Sequence, residues 1–193
     1  MQQLVLVIIY QTAGLNYFTV VSNGIINATV QNIEKMFALL DQQDYFIVYG
    51  TAEHWTYASK SRCELLPFDG KSVVAAIQRA GVTLILHTDM HIKNSTPTSR
   101  IFEAAAGSSV IISDKHPFIL KHFADAVLYI DDNATGEQLF TQIDSHMKWI
   151  LAHPVEAKEL ARRAHEIFIK QFTLEQQLQN LVKLHAKMLN GEK

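Results

Sequence analysis

The chain carries six short apolar runs, at 4–9, 45–49, 63–66, 82–86, 110–112 and 127–130. Most read as continuous hydrophobic stretches rather than alternating ones. That is the pattern of parallel strands buried on both faces. Between the runs the apolar spacing changes. Val30, Ile33, Phe37 and Leu40 recur at helical intervals. The stretch from Ser72 to Ala80 predicts a second helix, closed by Gly81. Pro67-Phe-Asp-Gly70 is a turn signal. Strands alternating with helices predict right-handed βαβ units and a Rossmann-like, doubly wound α/β sheet of about six parallel strands.

Beyond Asp131 the strand pattern stops. Thr135-Gly-Glu-Gln138 and Thr173-Leu-Glu-Gln176 have the form of capping boxes. The first opens a helix with Leu139, Ile143, Met147 and Ile150 on one face. His153-Pro154 breaks it, and a second helix carries Leu160, Ala164, Ile167 and Phe168. The third carries Leu174, Leu178, Leu181, Val182, His185 and Leu189. The expectation is one domain over 1–193, with 135–193 a C-terminal helical layer packed on the sheet.

Polar chemistry gathers between the fourth and fifth runs. Thr96 is placed to cap a helix with Pro97 at its first position, and Gly107 to end it. In an open α/β sheet such a helix start lies at the carboxyl edge of the strands, where free N–H groups favour a phosphate. Arg100 and Glu103 stand one turn apart on one face. A cation and an acceptor beside an anion site suit a nucleoside diphosphate. The bland reading of the pair is a salt bridge on a solvated helix face. His87-Thr-Asp-Met-His91 places metal-ligand types at alternate positions. With no further acid or cysteine positioned to complete a site, no metal is expected. Asp114, after the fifth run, suits a turn cap or a role beside the anion site.

Composition narrows the classes. The chain has 193 residues, 48% hydrophobic, with a formal net charge of −2. That is enough apolar residue for one sizeable core. No basic tract points to nucleic acid. The single cysteine, Cys63, excludes an intrachain disulfide and reads as a small buried hydrophobe. The apolar stretch 4–9 is too short to span a membrane and lacks the flanks of a signal peptide. A soluble cytoplasmic protein without a membrane span is expected. The three Asn-x-Thr triplets then read as ordinary caps and turns. Trp55 reads as a loop aromatic covering the core, and His165 and His185 as packed or partly exposed helix residues.

The order of elements and several motifs resemble the C-terminal, nucleotide-binding half of GT-B glycosyltransferases, group 1, in the branch of the spore-maturation-protein type. The motifs are Leu66-Pro-Phe-Asp-Gly-Lys-Ser72, Ala80-Gly-Val-Thr-Leu-Ile-Leu-His87 and Pro97-Thr-Ser-Arg-Ile-Phe-Glu-Ala-Ala-Ala-Gly107. Ile111-Ile-Ser-Asp114, Phe123-Ala-Asp-Ala-Val-Leu-Tyr-Ile130, Ala164-His165 and Phe172-Thr-Leu-Glu175 continue the likeness. The resemblance implies a donor-binding domain that takes a nucleoside-diphosphate sugar and no other cofactor. Glu103 would then accept from the ribose hydroxyls. Thr98, Ser99 and Arg100 would meet the diphosphate, and His91 the diphosphate or sugar. The loop containing Pro67 would lie near the base. The sequence departs from the family in two places. Ser95 stands eight positions before Glu103, where many members have a second acid. The loops Gln11-Thr-Ala-Gly14 and Thr51-Ala-Glu-His54 lack the usual basic pair, for which Arg100, His91 or Lys93 would substitute. A GT-B enzyme reacts between two such domains, so a missing N-terminal acceptor domain or a partner chain is implied, and the chain alone is expected to be inactive. The competing reading is a non-catalytic binding or scaffold module that keeps the fold.

Overall fold

A parallel sheet organises the chain, and its strands form where the apolar runs lie. The computed structural model describes residues 5–9, 28–52, 55–131 and 133–190. The loop 11–14 and residues Glu53 and His54 lie outside the described residues. In chain order the elements are β1 (Val5–Ile9), α1 (Ala28–Leu40), β2 (Phe46–Tyr49), β3 (Arg62–Cys63), α2 (Ser72–Ala80) and β4 (Gly81–Ile85). Then come α3 (Asp89–Lys93), α4 (Arg100–Ala106), β5 (Val110–Ser113), α5 (Pro117–His122), a 3-10 turn (Ala124–Ala126) and β6 (Leu128–Tyr129). Three longer helices close the described chain: α6 (Gly136–Ala152), α7 (Pro154–Gln171) and α8 (Leu174–Leu189).

The sheet order is β3-β2-β1-β4-β5-β6, and every pairing is parallel. The chain winds outward from β1 to β3, then restarts beside β1 with β4. The switch point, where the two winding directions part, lies between β1 and β4.

Alternate strand residues serve the two faces. Val82, Leu84, Val110 and Ile112 join α1 and α6 in one core, with Met36, Leu40, Leu139, Ile143 and Ile150. Ile85 and Ile111 point the other way and meet Ile101, Ala104 and Ala105 of α4. Val7 packs on α2 through Val73, Ala76 and Ile77. Fully burying each large aliphatic side chain is worth roughly 1.5–3 kcal/mol, which drives both layers onto the sheet. Ser113 at the end of β5 is polar and buried, and Thr83 and Ser109 form a polar pair inside the second face. Their hydroxyls bond each other at 2.8 Å, and Ser109 Oγ also donates to the Ala104 carbonyl at 3.2 Å. Trp55 is buried edge-on against Phe37, so it does cover the core.

Three expectations need correction. The third strand is Arg62–Cys63, not 63–66, and Cys63 is only half-buried within it. Asp69 shapes the loop that follows by accepting from Lys71 N–H, Ser72 N–H and the Ser72 hydroxyl. Those three bonds hold its carboxyl down at about 2.

The helix expected from Pro97 begins at Arg100, with Ser99 as its cap residue. Thr96 cannot cap it, because Thr96 finishes α3. Its N–H goes to the His91 carbonyl, and its hydroxyl to the Asn94 carbonyl.

The terminal helices are not one layer. The capping box of α6 is formed by Thr135 and Gln138, and the helix lies against α1. Helix α7 reaches both cores, with Ala157, Leu160 and Ala161 in one and Ala164 in the other. Helix α8, capped by Thr173, buries none of its residues.

Gly136 is where α6 approaches α1. A Cβ there would stand 2.5 Å from the Asn32 carbonyl oxygen and 2.7 Å from Lys35 Cβ. Its N–H donates to Asn32 Oδ1. Backbone on the far side cannot give way cheaply, so Gly136→Ala is expected to cost about 1–3 kcal/mol of stability by overpacking. Urea unfolding at constant m-value measures it, and an unchanged midpoint would show that α1 and α6 do not pack this closely.

Candidate functional site

The carboxyl ends of β4 and β5 converge on one carboxylate. Asp114 follows β5 directly and is 2% exposed. Its Oδ2 accepts the His87 backbone N–H at 2.6 Å, and its Oδ1 lies 2.7 Å from His87 Nδ1. An ionised carboxylate only accepts, so Nδ1 carries the proton. The His87 side chain is fully buried, and its Nε2 meets no partner. The His116 ring lies 4.2 Å from that of His87, and the His91 ring 5.9 Å away.

These flanking histidines build helix ends. His116 is the N-cap of α5, with Pro117 behind it. Its Nδ1 accepts the Phe118 N–H at 3.1 Å. Its Nε2–H therefore donates, and reaches the His91 carbonyl at 3.1 Å. His91 closes a reciprocal box at the start of α3. Thr88 Oγ1 accepts the His91 N–H, and His91 Nδ1 accepts the Thr88 N–H. Histidine here takes the part that Glu or Gln plays in the usual box. Both rings need an unprotonated Nδ1. Burial pushes the His116 pKa below the ordinary histidine value, and the neighbouring His87 adds to it; the bond to the His91 carbonyl and the charge of Asp114 oppose. Burial likewise lowers His91, with His87 assisting and Asp114 opposing.

Arg100 and Glu103 form the second feature. Arg100 Nη1 donates to Glu103 Oε2 on the half-buried face of α4. The expected salt bridge is thus present, on a half-buried rather than a solvated face, though a carboxylate has acceptor positions to spare. Thr98 is half-buried and Ser99 exposed. Their carbonyls accept the first N–H groups of the helix, Ile101 to Thr98 and Phe102 and Glu103 to Ser99. Helix α4 is held at its far end by His165 of α7, whose Nδ1 donates to the Ala105 carbonyl at 2.8 Å. His165 is thus a packed residue that braces α4.

Pro67 is exposed in the loop after β3, beside Phe68, whose 91% exposure is the highest among the exposed large hydrophobics. The ligand alternation read in 87–91 does not arise. Strand β4 ends at Ile85, and 89–93 is helical. Among the described residues no group of three His, Cys, Asp or Glu is placed to hold a metal ion.

Sequence reasoning missed His116 and Phe68. The cap–proline pair His116-Pro117 was the available signal for the first. Phe68 sits inside a turn motif that drew attention to its neighbours instead.

A parallel sheet whose winding direction reverses between β1 and β4 defines a doubly wound α/β domain. The glycosyl transferase-like family matches residues 30–183, and the chain belongs to that family. No curated protein matches it. Among solved structures it is similar to a sucrose-phosphate synthase from Thermosynechococcus elongatus, at 13% identity and a TM-score of 0.65, over 100% of this chain and 47% of that one. A glycosyltransferase from Rickettsia africae ESF-5 aligns at 12% identity and a TM-score of 0.63, over 96% of this chain and 48% of that one. A trehalose-6-phosphate synthase aligns at 10% and 0.51, over 87% and 40%. These likenesses establish the fold. The chain spans about half the length of the first two structures. No helix among the described residues is long and apolar enough to cross a membrane.

The histidine caps set a pH dependence. His91 and His116 have lowered folded-state values, so between those values and the unfolded value of about 6.5 the unfolded chain binds more protons. Their contribution is fully present above about 6.5 and is lost as pH falls through the folded values. Unfolding free energy is expected to drop between neutral and mildly acid pH. His116→Asn keeps a capping oxygen without a titrating ring, and should flatten that slope. An equal slope in the variant would remove His116 from the account.

Proposed function

We propose that the chain is the donor-binding half of a glycosyltransferase that moves a sugar from a nucleoside-diphosphate sugar to an acceptor. The observation that carries this reading is the position of the Arg100–Glu103 pair. It opens α4, which runs from α3 back to β5 and so starts on the side of the carboxyl edge, near the switch point, in a chain of the glycosyl transferase-like family. In this reading Glu103 accepts from the ribose hydroxyls with the lone pairs that Arg100 leaves. Arg100 and the N–H groups of Thr98 and Ser99 hold the diphosphate, with His91 and Lys93 beside them. The loop with Pro67 and Phe68 lies near the base, and the exposed Phe68 ring offers it a stacking surface. The leaving diphosphate is stabilised by oriented donors, which requires no metal.

Transfer also needs the acceptor held in line and water kept out. On this reading a second domain or a partner chain supplies both, and the chain alone does not turn over. A second reading is a binding or scaffold module without transfer activity. Two observations favour it: Glu103 is already paired with Arg100, and Ser95 replaces the usual acid.

Calorimetric titration with UDP, GDP and ADP tests the proposal. A preference for one base is expected. Glu103→Ala should weaken that nucleotide by roughly 10- to 100-fold, the equivalent of about 1.5–3 kcal/mol for a hydrogen bond to a charged group. Lys158→Ala, on the exposed side of α7, is the control. The same preparation should release no sugar from the matching nucleotide sugar. Equal affinities in wild type and Glu103→Ala would remove the ribose role. Absence of any binding would favour the scaffold reading, and turnover by the chain alone would refute its dependence on a second domain.

A further inference from the structure

His87 holds a polar atom that the fold leaves unanswered. Its side chain is fully buried, its Nδ1–H is given to Asp114, and Nε2 has no partner. Buried polar atoms are rarely left this way, and each exception calls for a cause. The carboxylate fixes the ring in one tautomer and one orientation, as an aspartate does behind any histidine that must present a defined nitrogen. That nitrogen presents a lone pair in the neutral ring and an N–H in the charged one. A hydroxyl both donates and accepts and so answers either form, whereas a diphosphate offers only acceptors and answers one. The fitting group is a hydroxyl.

Two rings lie against that of His87. His116 is fully buried and caps α5, so moving it would undo that helix start. His91 rides on α3, a helix of five residues. Met90 on α3 is 59% exposed, and none of the helix's described side chains belongs to the hydrophobic core. Its ties include the Thr88–His91 box and the bond from His116 to the His91 carbonyl. Of the two, the ring on α3 is the one that can lift, while Asp114 stays fixed to the end of β5.

We propose that α3 is a lid over a preformed Asp114–His87 pair, and that with the lid raised His87 Nε2 shares a hydrogen bond with a hydroxyl of the transferred glycosyl group. The assignment rests on the donor-binding reading, in which Glu103 takes the ribose hydroxyls and leaves the sugar hydroxyls to His87. It makes His87 a contact that senses the sugar rather than the nucleotide.

The variant His87→Asn separates the two halves of the ring. Its amide N–H can still reach Asp114, and nothing replaces Nε2. The intact chain is titrated with UDP-, GDP- and ADP-glucose and with the matching free diphosphates. The expected result is about 3- to 10-fold weaker binding of the preferred nucleotide sugar, the loss typical of one neutral hydrogen bond, with binding of the free diphosphate unchanged. Equal loss for both, or loss for neither, overturns the sugar contact. A purely structural role would weaken both ligands together. The lid has its own test, without ligand. Diethylpyrocarbonate should modify His87 in the folded chain, and faster in Thr88→Ala, which removes the cap of α3. A His87 that stays unmodified in both, while the exposed His185 on α8 reacts, overturns the lid. If the wild type binds none of the six probes, the donor-binding reading falls and the sugar contact with it, whatever the modification rates show.

Discussion

Everything in this domain follows from burying a parallel sheet on both faces. Each strand of such a sheet sends alternate side chains into opposite cores, so its middle residues must be apolar throughout. Strands β4 and β5 show the constraint at work. Val82 and Leu84 face one core, Ile85 and Ile111 the other, and the polar pair Thr83–Ser109 survives inside only by bonding to itself and to the Ala104 carbonyl. Charge and unshared lone pairs are thereby pushed to the strand ends.

At the carboxyl ends this exclusion becomes chemistry. The residues that follow β4 and β5 lie side by side because the strands pair in register, Ile85 beside Ser113. His87 and Asp114 are then within bonding distance although 27 positions separate them. The surrounding rings are tied to backbone groups of α3 and α5, so the site and the helix starts around it form one hydrogen-bonded unit. Protonating either cap histidine would set a donor against a donor. The same linkage that holds α3 closed over the cluster makes it sensitive to acid. Helix α7 contributes from outside, since His165 fixes the far end of the helix that bears Glu103.

Much of this framework was legible in the sequence, and the reasons are local. Continuous apolar runs gave the strands. Gly81 ends α2 in a left-handed conformation, as a glycine there can. The Thr135 and Gln138 spacing foretold a real capping box. The contact of Arg100 with Glu103 followed from their separation of one turn. What stayed hidden depended on length or on tertiary context. Helix α3 is too short to show a period, and its box uses a histidine. Its presence delayed the start of α4 by several residues. The cluster of His87, His91, Asp114 and His116 exists only because β4 and β5 are neighbours. The amphipathic pattern of α8 was read correctly as a helix but wrongly as part of a layer, because a periodic face announces burial without naming what covers it. Leu174, Leu181 and Leu189 stand exposed on it.

The central claim is that a nucleoside diphosphate sits at the carboxyl edge beside the switch point. Amide chemical-shift mapping of the isotopically labelled chain, with the tightest-binding diphosphate added to saturation, tests it most directly. The account predicts perturbations concentrated in 66–70, 87–91 and 98–103, with α8 unaffected. Perturbations centred on α8, or none at all at saturating nucleotide, would contradict it.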